Sequence, residues 1–142
     1  MKKAIPVYIL DTSAIIALIE DENGADTIEE LLDQADSEDT SILVSFMTFM
    51  EVYYTSLKKL GEDKAAQRRR LMDSLPILRV DSTESMGLIA SEIKAKYRLS
   101  VADAWIAALA KQRNAILVHK DPEFEQIESE IQVLKLPYKA KV

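Results

Sequence analysis

The sequence predicts an α/β protein, a three-layer α/β/α sandwich in which helices cover both faces of a mainly parallel sheet. Short runs rich in Val, Ile and Leu recur without polar alternation, which is typical of strands buried on both faces. Longer helical stretches separate these runs and favour right-handed crossovers between parallel strands. The 142 residues are 48% hydrophobic, which is enough for one buried core, so we expect a single domain over residues 1–142.

Strands and helices are expected to alternate along the chain. The predicted strands are Ala4–Leu10, Ser41–Ser45, Pro76–Val80, Ala115–His119 and Ile131–Leu134. The predicted helices are Thr12–Glu20, Gly24–Ala35, Met47–Leu60, Glu62–Ser74, Thr83–Tyr97 and Ala102–Arg113, with a short helical piece near Pro122–Ile127. The acidic segment Asp33–Thr40 is expected to be a loop. Functional sites of such sheets lie outside the carboxyl ends of the strands, so the residues there decide the function.

Composition excludes several classes of site. Cysteine is absent, which removes disulfides, thiolate metal sites and cysteine nucleophiles, and the 3 glycines cannot build a Gly-rich phosphate loop. No apolar run approaches the ~20 residues of a membrane span, and we expect a cytoplasmic protein without a membrane segment. The net charge of −6 does not favour nucleic acid, so binding it would require a local basic patch or a bound cation.

Four carboxylates stand at or near predicted strand ends. Asp11 follows the first strand directly and Asp121 follows the fourth, while Glu51 lies one turn into the helix after the second. Asp103 opens a helix that is otherwise almost wholly apolar. Because parallel strands end at one edge of a sheet, these groups are expected to meet there.

Each carboxylate also has a structural interpretation as part of a helix cap. Asp11 and Asp121 fit N-caps, and Thr48-x-x-Glu51 and Ser100-x-x-Asp103 resemble capping boxes. The four together favour a different interpretation, because gathered acids repel one another and an unpaired buried carboxylate is costly. A hard dication, Mg²⁺ or Mn²⁺, would resolve this repulsion, and carboxylates around such ions are a usual site for phosphodiester hydrolysis.

The same residues carry a resemblance to a known family. In order and spacing, four segments resemble the acidic motifs of PIN-domain ribonucleases, many of which are the toxins of VapBC toxin–antitoxin modules: Leu10-Asp11-Thr12-Ser13, Met50-Glu51-Val52, Ala102-Asp103-Ala104-Trp105-Ile106-Ala107 and Leu117-Val118-His119-Lys120-Asp121-Pro122-Glu123-Phe124. The resemblance implies Mg²⁺- or Mn²⁺-dependent cleavage of single-stranded RNA, a homodimer and an antitoxin partner. It makes Asp11, Glu51, Asp103 and Asp121 the metal-binding residues.

The resemblance also assigns supporting residues. Ser13 or Thr12 would correspond to the hydroxyl residue that supports the first aspartate. The sequence departs from the family pattern at His119, where members usually carry Thr or Ser, and we interpret His119 as a residue at a strand end rather than a catalyst. The arginine run Arg68, Arg69 and Arg70 is the candidate for RNA binding beside the metal groove, with a solvated helix face as its alternative.

Two other functions remain open from the sequence. A phosphoacceptor receiver-type module has similar β/α alternation, and Asp81 follows the third predicted strand as its candidate acceptor. A PIN-like protein that binds without cleaving is the second alternative. A metal-dependent cleavage assay separates enzyme from binding module, and acetyl-phosphate labelling of Asp81 separates out the receiver.

Overall fold

The computed structural model describes residues 4–139, and its elements follow the predicted order. The strands are β1 (Val7–Leu10), β2 (Ser41–Ser45), β3 (Leu78–Val80), β4 (Ile116–His119) and β5 (Gln132–Lys135). The helices are α1 (Thr12–Ile19), α2 (Ala25–Asp36), α3 (Phe46–Leu60), α4 (Glu62–Ser74), α5 (Glu84–Lys96) and α6 (Val101–Arg113), and a 3-10 helix spans Pro122–Ile127. No helix among these residues is both long and apolar enough to cross a membrane.

The five strands form one parallel sheet with the order β3-β2-β1-β4-β5. The first strand is central, and its Ile9 pairs with Leu43 of β2 on one side and Leu117 of β4 on the other. All carboxyl ends therefore lie at one edge of the sheet, with the ends of β1 and β4 as neighbours.

Side chains of the central strands alternate between two cores. Ile9 and Leu117 point to a cluster formed mainly with α5 and α6, whereas Leu10 and Val118 point to a cluster formed with α1 to α4. Because successive residues of a strand face opposite sides, every one of these apolar positions is buried. The predicted three-layer α/β/α sandwich is thereby confirmed.

Several element boundaries differ from those predicted. The first strand begins at Val7, directly after Pro6, which has no N–H to donate to a ladder. Strand β3 begins at Leu78, because the Ile77 amide donates to the Leu75 carbonyl at 2.8 Å in a local turn. Helix α2 continues to Asp36, so only the second half of the predicted acidic loop is a loop. Helix α3 begins at Phe46, directly after its N-cap Ser45, whose hydroxyl accepts a hydrogen bond from the Met47 amide at 3.1 Å.

This earlier start removes one structural interpretation of the acidic residues. Thr48 lies inside α3 and is fully buried instead of being its cap, so Glu51 does not belong to a capping box. The Ser100 cap of α6 is formed as expected, with the Asp103 amide donating to the Ser100 hydroxyl at 3.1 Å.

Gly24 permits a test of the packing around α2. It caps α2 with φ +102°, and a methyl group there would lie 3.1 Å from the Cβ of Leu136. Gly24→Ala should lose about 1–2 kcal/mol of unfolding free energy from backbone strain, and more from this close contact. In a double-mutant cycle measured by urea denaturation, part of the loss from the contact should be recovered in the Leu136→Ala background. Strictly additive losses would contradict this packing.

Candidate metal centre

An open cleft of about 710 Å³ lies at the carboxyl ends of β1 and β4. All four carboxylates singled out in the sequence line it, so the fold brings together residues up to 110 positions apart. The lining residues are Asp11, Thr12, Ser13, Ile16, Glu22, Glu51, Ser100, Asp103, Lys120, Asp121, Pro122, Glu125, Tyr138 and Lys139.

Asp11 is the most deeply buried of the four, with only 2% of its surface exposed. It directly follows the central strand and caps α1, and its Oδ1 accepts a hydrogen bond from the Ala14 amide at 2.7 Å. The Ser13 hydroxyl donates to the same carboxylate and lies 2.7 Å from each of its oxygens. Burial raises the pKa of Asp11 to about 7 against these hydrogen bonds, and the charges of Asp103 and Asp121 raise it further.

Glu51 is tied to the other hydroxyl residue of the first motif. The Thr12 hydroxyl donates to Oε1 of Glu51 at 2.6 Å and also lies 3.3 Å from the hydroxyl of Thr48. The two hydroxyl residues that the sequence left as alternatives therefore serve different carboxylates. Ser13 supports Asp11, and Thr12 connects the end of β1 to α3 through Glu51.

Asp103, Asp121 and Glu123 form the tightest acidic group of the cleft region. One carboxylate oxygen from each lies within 4.8 Å of the others, and no other such group of three is found among residues 4–139. Burial raises the pKa of Asp103 to about 7, and the charges of Asp121 and Glu51 add to the effect. Asp121 caps the 3-10 helix by accepting from the Glu123 amide at 2.9 Å.

Glu123 was not assigned a role from the sequence. Its position two residues after Asp121, in the first turn of the 3-10 helix, is what brings its carboxylate to this group. Asp11 and Glu51 line the same cleft outside that set of three.

None of the four predicted carboxylates forms an ion pair with a Lys, Arg or His among the described residues. Their hydrogen-bond donors are hydroxyls and backbone amides, which position a carboxylate without neutralising its charge. Burial and neighbouring negative charge raise the pKa of Asp11 and of Asp103, and a cluster of unpaired carboxylate oxygens fits a hard dication such as Mg²⁺ or Mn²⁺.

His119 contacts the backbone of the site. It is fully buried at the end of β4, and its Nδ1 accepts a hydrogen bond from the Asp121 amide at 3.1 Å. Burial lowers the pKa of His119, and Nε2 has no hydrogen-bond partner within residues 4–139. The imidazole packs against Phe124, with the ring centroids 5.1 Å apart. A ring nitrogen thus fixes the peptide before Asp121.

The arginine run does not line the acidic cleft. Arg68 bonds Glu20 at 3.3 Å and lies 3.5 Å from the Ser56 hydroxyl, and Arg69 lines a different cavity of about 390 Å³ between α3 and α4. The cations that do line the cleft are Lys120 and Lys139, neither of which was singled out from the sequence. The signal for Lys120 was its position directly before Asp121 in the last acidic motif.

Asp81 does not fit the receiver alternative. It follows the edge strand β3, is paired with Arg79 at 2.9 Å, and its side chain is 77% exposed. It is not among the residues that line the acidic cleft.

The raised pKa values predict how pH changes the stability of the metal-free protein. A carboxyl whose pKa is raised from 3.8 to about 7 by folding stabilises the protein at low pH and loses that contribution as pH rises towards 7. Folding lowers the pKa of His119, so the contribution of this histidine to the unfolding free energy rises with pH near its ordinary pKa. Comparing wild type with Asp11→Asn removes this contribution from the difference, because both proteins retain His119.

The unfolding free energy of wild type should therefore fall relative to that of Asp11→Asn between pH 4 and 7, by on the order of several kcal/mol. Chemical denaturation in EDTA at a series of pH values measures the difference. A difference that stays constant over this range would show that Asp11 ionises normally.

The contact between His119 and Asp121 can be tested with two variants. His119→Asn retains an acceptor close to the position of Nδ1, whereas His119→Phe retains the ring and its contact with Phe124 but has no acceptor. We expect His119→Phe to weaken Mn²⁺ binding about tenfold or more, and His119→Asn to restore most of the affinity. Calorimetric titration measures both, with circular dichroism as the control for folding. Equal affinities of the two variants would argue against this role.

The chain matches a known protein family and known folds. Residues 8–130 match the family model of the PIN domain. No curated protein matches the chain.

Solved structures match the chain over most of its length. The DNA-bound VapBC of Salmonella typhimurium aligns with a TM-score of 0.76 and 23% identity, covering 92% of this chain and 98% of the other. VapBC2 of Rickettsia felis, bound to a promoter DNA fragment, aligns with a TM-score of 0.73 and 20% identity, covering 92% of this chain and 99% of the other. VapC20 of Mycobacterium tuberculosis is described as a toxin that cleaves the sarcin–ricin loop. It aligns with a TM-score of 0.66 and 16% identity, covering 84% of this chain and 93% of the other.

Proposed function

Because the PIN-domain family model spans most of the chain, the protein belongs to the PIN-domain family, and we propose that it is a Mg²⁺- or Mn²⁺-dependent endoribonuclease acting on single-stranded RNA. One observation carries this proposal. Asp11, Glu51, Asp103 and Asp121 line one cleft without a cationic partner in the described part of the chain. Such a site is poorly suited to remain empty and well suited to bind a hard dication.

The four carboxylates are proposed for two roles. Asp11, Asp103 and Asp121 would hold the metal, and Ser13 would keep the Asp11 carboxylate oriented. Glu51 is already engaged at Oε1 by Thr12, and its Oε2 has no partner among the described residues, so this oxygen can accept a hydrogen bond from a water. Glu51 is therefore a metal ligand or a group that orients the attacking water and accepts its proton.

A bound Mg²⁺ or Mn²⁺ would supply positive charge to the phosphodiester and lower the pKa of a water. The chain's own contribution is preorganisation. Hydrogen bonds from Ser13 and Thr12 hold two of the carboxylates in place before the substrate arrives, so little reorganisation is needed during the reaction.

Similar structures support RNA as the substrate class and a toxin as the biological role. One of them is described as a toxin that cleaves the sarcin–ricin loop, and another was solved as a toxin–antitoxin complex from Klebsiella pneumoniae. We propose for this chain a VapC-type toxin with a protein antitoxin. A homodimer and a cytoplasmic location, expected from the resemblance and the sequence, are part of the same proposal, and light scattering should then give a mass of twice 16.0 kDa.

Neutralising a single cleft carboxylate should abolish cleavage. Asp11→Asn and Asp103→Asn are each expected to lower Mn²⁺-dependent cleavage of a labelled single-stranded RNA by about 100-fold or more, because an oxygen ligand is lost while the fold is retained or stabilised. Asp81→Asn is the matched control, since it makes the same charge change at an exposed carboxylate outside the cleft. EDTA should abolish the activity of wild type and of the control variant.

Cleavage of the RNA by Asp11→Asn at the wild-type rate would refute the proposed catalytic role of the cleft. RNA binding by wild type with no cleavage in Mn²⁺ or Mg²⁺ would instead favour the alternative of a PIN-like binding module.

The antitoxin proposal is tested by co-expression. If a small open reading frame lies next to the gene, we expect its product to co-purify with this chain at a fixed stoichiometry and to inhibit RNA cleavage. A neighbouring product that neither binds nor inhibits would count against a toxin–antitoxin pair.

A further inference from the structure

The cleft contains a small cationic group beside its carboxylates. Among its lining residues within positions 4–139, Lys120 and Lys139 are the only ones with a positive charge, against six carboxylates. A phosphodiester strand that enters this cleft meets strong repulsion everywhere except near a bound dication and near these two ammonium groups.

Lys120 is fixed in place by the surrounding structure. Its amide donates to the Ser13 hydroxyl at 2.8 Å, which connects its backbone directly to the support of Asp11. Its Nζ donates to the Asn23 carbonyl at 2.8 Å and lies 3.4 Å from Oε1 of Glu22, and only 4% of the side chain is exposed. One of its three N–H donors has no partner among the described residues.

Lys139 approaches the other oxygen of the same glutamate. Its Nζ lies 2.9 Å from Oε2 of Glu22, and 72% of its side chain is exposed. Burial alone would raise the pKa of Glu22, but the hydrogen bonds and charges of Lys139 and Lys120 outweigh burial and lower it. The group of two lysines and one glutamate therefore has a net charge of +1 inside a cleft that is otherwise acidic.

We propose that Lys120 and Lys139, bridged by Glu22, form a phosphate-binding subsite for the nucleotide that neighbours the scissile bond. Lys120, Glu22 and Lys139 line the same cleft as the carboxylates proposed to bind the metal, so one strand can meet both. A phosphate would accept hydrogen bonds from the unused ammonium donors, and the preformed bridge lowers the entropy lost on binding. This inference rests on the proposed nuclease function only in taking single-stranded RNA as the ligand that carries the phosphate.

Two charge-neutralising variants separate a phosphate subsite from a purely structural ion pair. Lys139→Gln removes a cation, whereas Glu22→Gln removes the anion that neutralises half of the pair. Both break the same ion pair, so a structural role predicts changes in the same direction. A subsite predicts opposite changes, because the phosphate is attracted by the lysines and repelled by the glutamate.

The measurement is fluorescence anisotropy with a labelled single-stranded RNA in Ca²⁺, with strand integrity checked on a gel. Lys139→Gln should weaken binding about fivefold and reduce the slope of log affinity against log salt by about 0.7. Glu22→Gln should tighten binding. Lys94→Gln, with the same charge change at an exposed lysine on α5 that does not line the cleft, should bind as wild type does.

Equal or parallel effects of Lys139→Gln and Glu22→Gln would overturn the subsite, as would a wild-type protein that does not bind the RNA. If wild type cleaves RNA with Mn²⁺ but the two variants do not change RNA affinity in opposite directions, the subsite alone is refuted. Opposite shifts without any cleavage would refute the nuclease function and leave the subsite intact.

Discussion

Electrostatic repulsion among carboxylates at the ends of β1 and β4 is the constraint on which the site depends. Asp11 and Asp103 both have their pKa raised to about 7, because burial and neighbouring acids disfavour the charged form. Nothing cationic in the described chain pairs with either group. The fold supplies hydroxyl and amide donors from Ser13, Thr12 and the start of α1, which fix geometry and leave the negative charge for a metal ion.

The cleft also shows how a protein with a net charge of −6 can be suited to an anionic strand. Bulk charge is unfavourable, so attraction must be local. A metal held by the carboxylates and the net positive group of Lys120, Glu22 and Lys139 would provide two positive centres in one cleft. The positions of charges within the cleft, rather than the net charge of the protein, thus determine whether an anionic strand can bind there.

Much of the fold could be predicted because its signals are local. Buried parallel strands are continuous apolar runs, and the acids that follow them identify the edge of the sheet where a site can form. Boundaries were harder. Pro6 and the turn at Ile77 shorten two strands, and the cap at Ser45 moves the start of α3 ahead of the predicted capping box.

Apart from the meeting of acids at the strand ends, side-chain contacts between residues distant in sequence could not be predicted. Lys120 and Glu22 lie 98 positions apart, and no local pattern indicates that their side chains meet. The run Arg68–Arg70 is a clear cluster of positive charge in the sequence. A run of residues on a helix does not show which of its side chains face the functional cleft. Arg68 is held by Glu20, away from the lining of the acidic cleft. The division of labour between Thr12 and Ser13 likewise depends on α3 packing beside α1, which brings Glu51 to Thr12.

The most direct test of the metal centre is the number of protons released when Mn²⁺ binds. Calorimetry in buffers of different ionisation enthalpy measures this number. Because the pKa values of Asp11 and Asp103 are raised to about 7, Mn²⁺ should displace protons at pH 6.5 and progressively fewer as the pH rises to 8.5. Absence of Mn²⁺ binding at millimolar concentration, or binding without proton release at pH 6.5, would contradict the account.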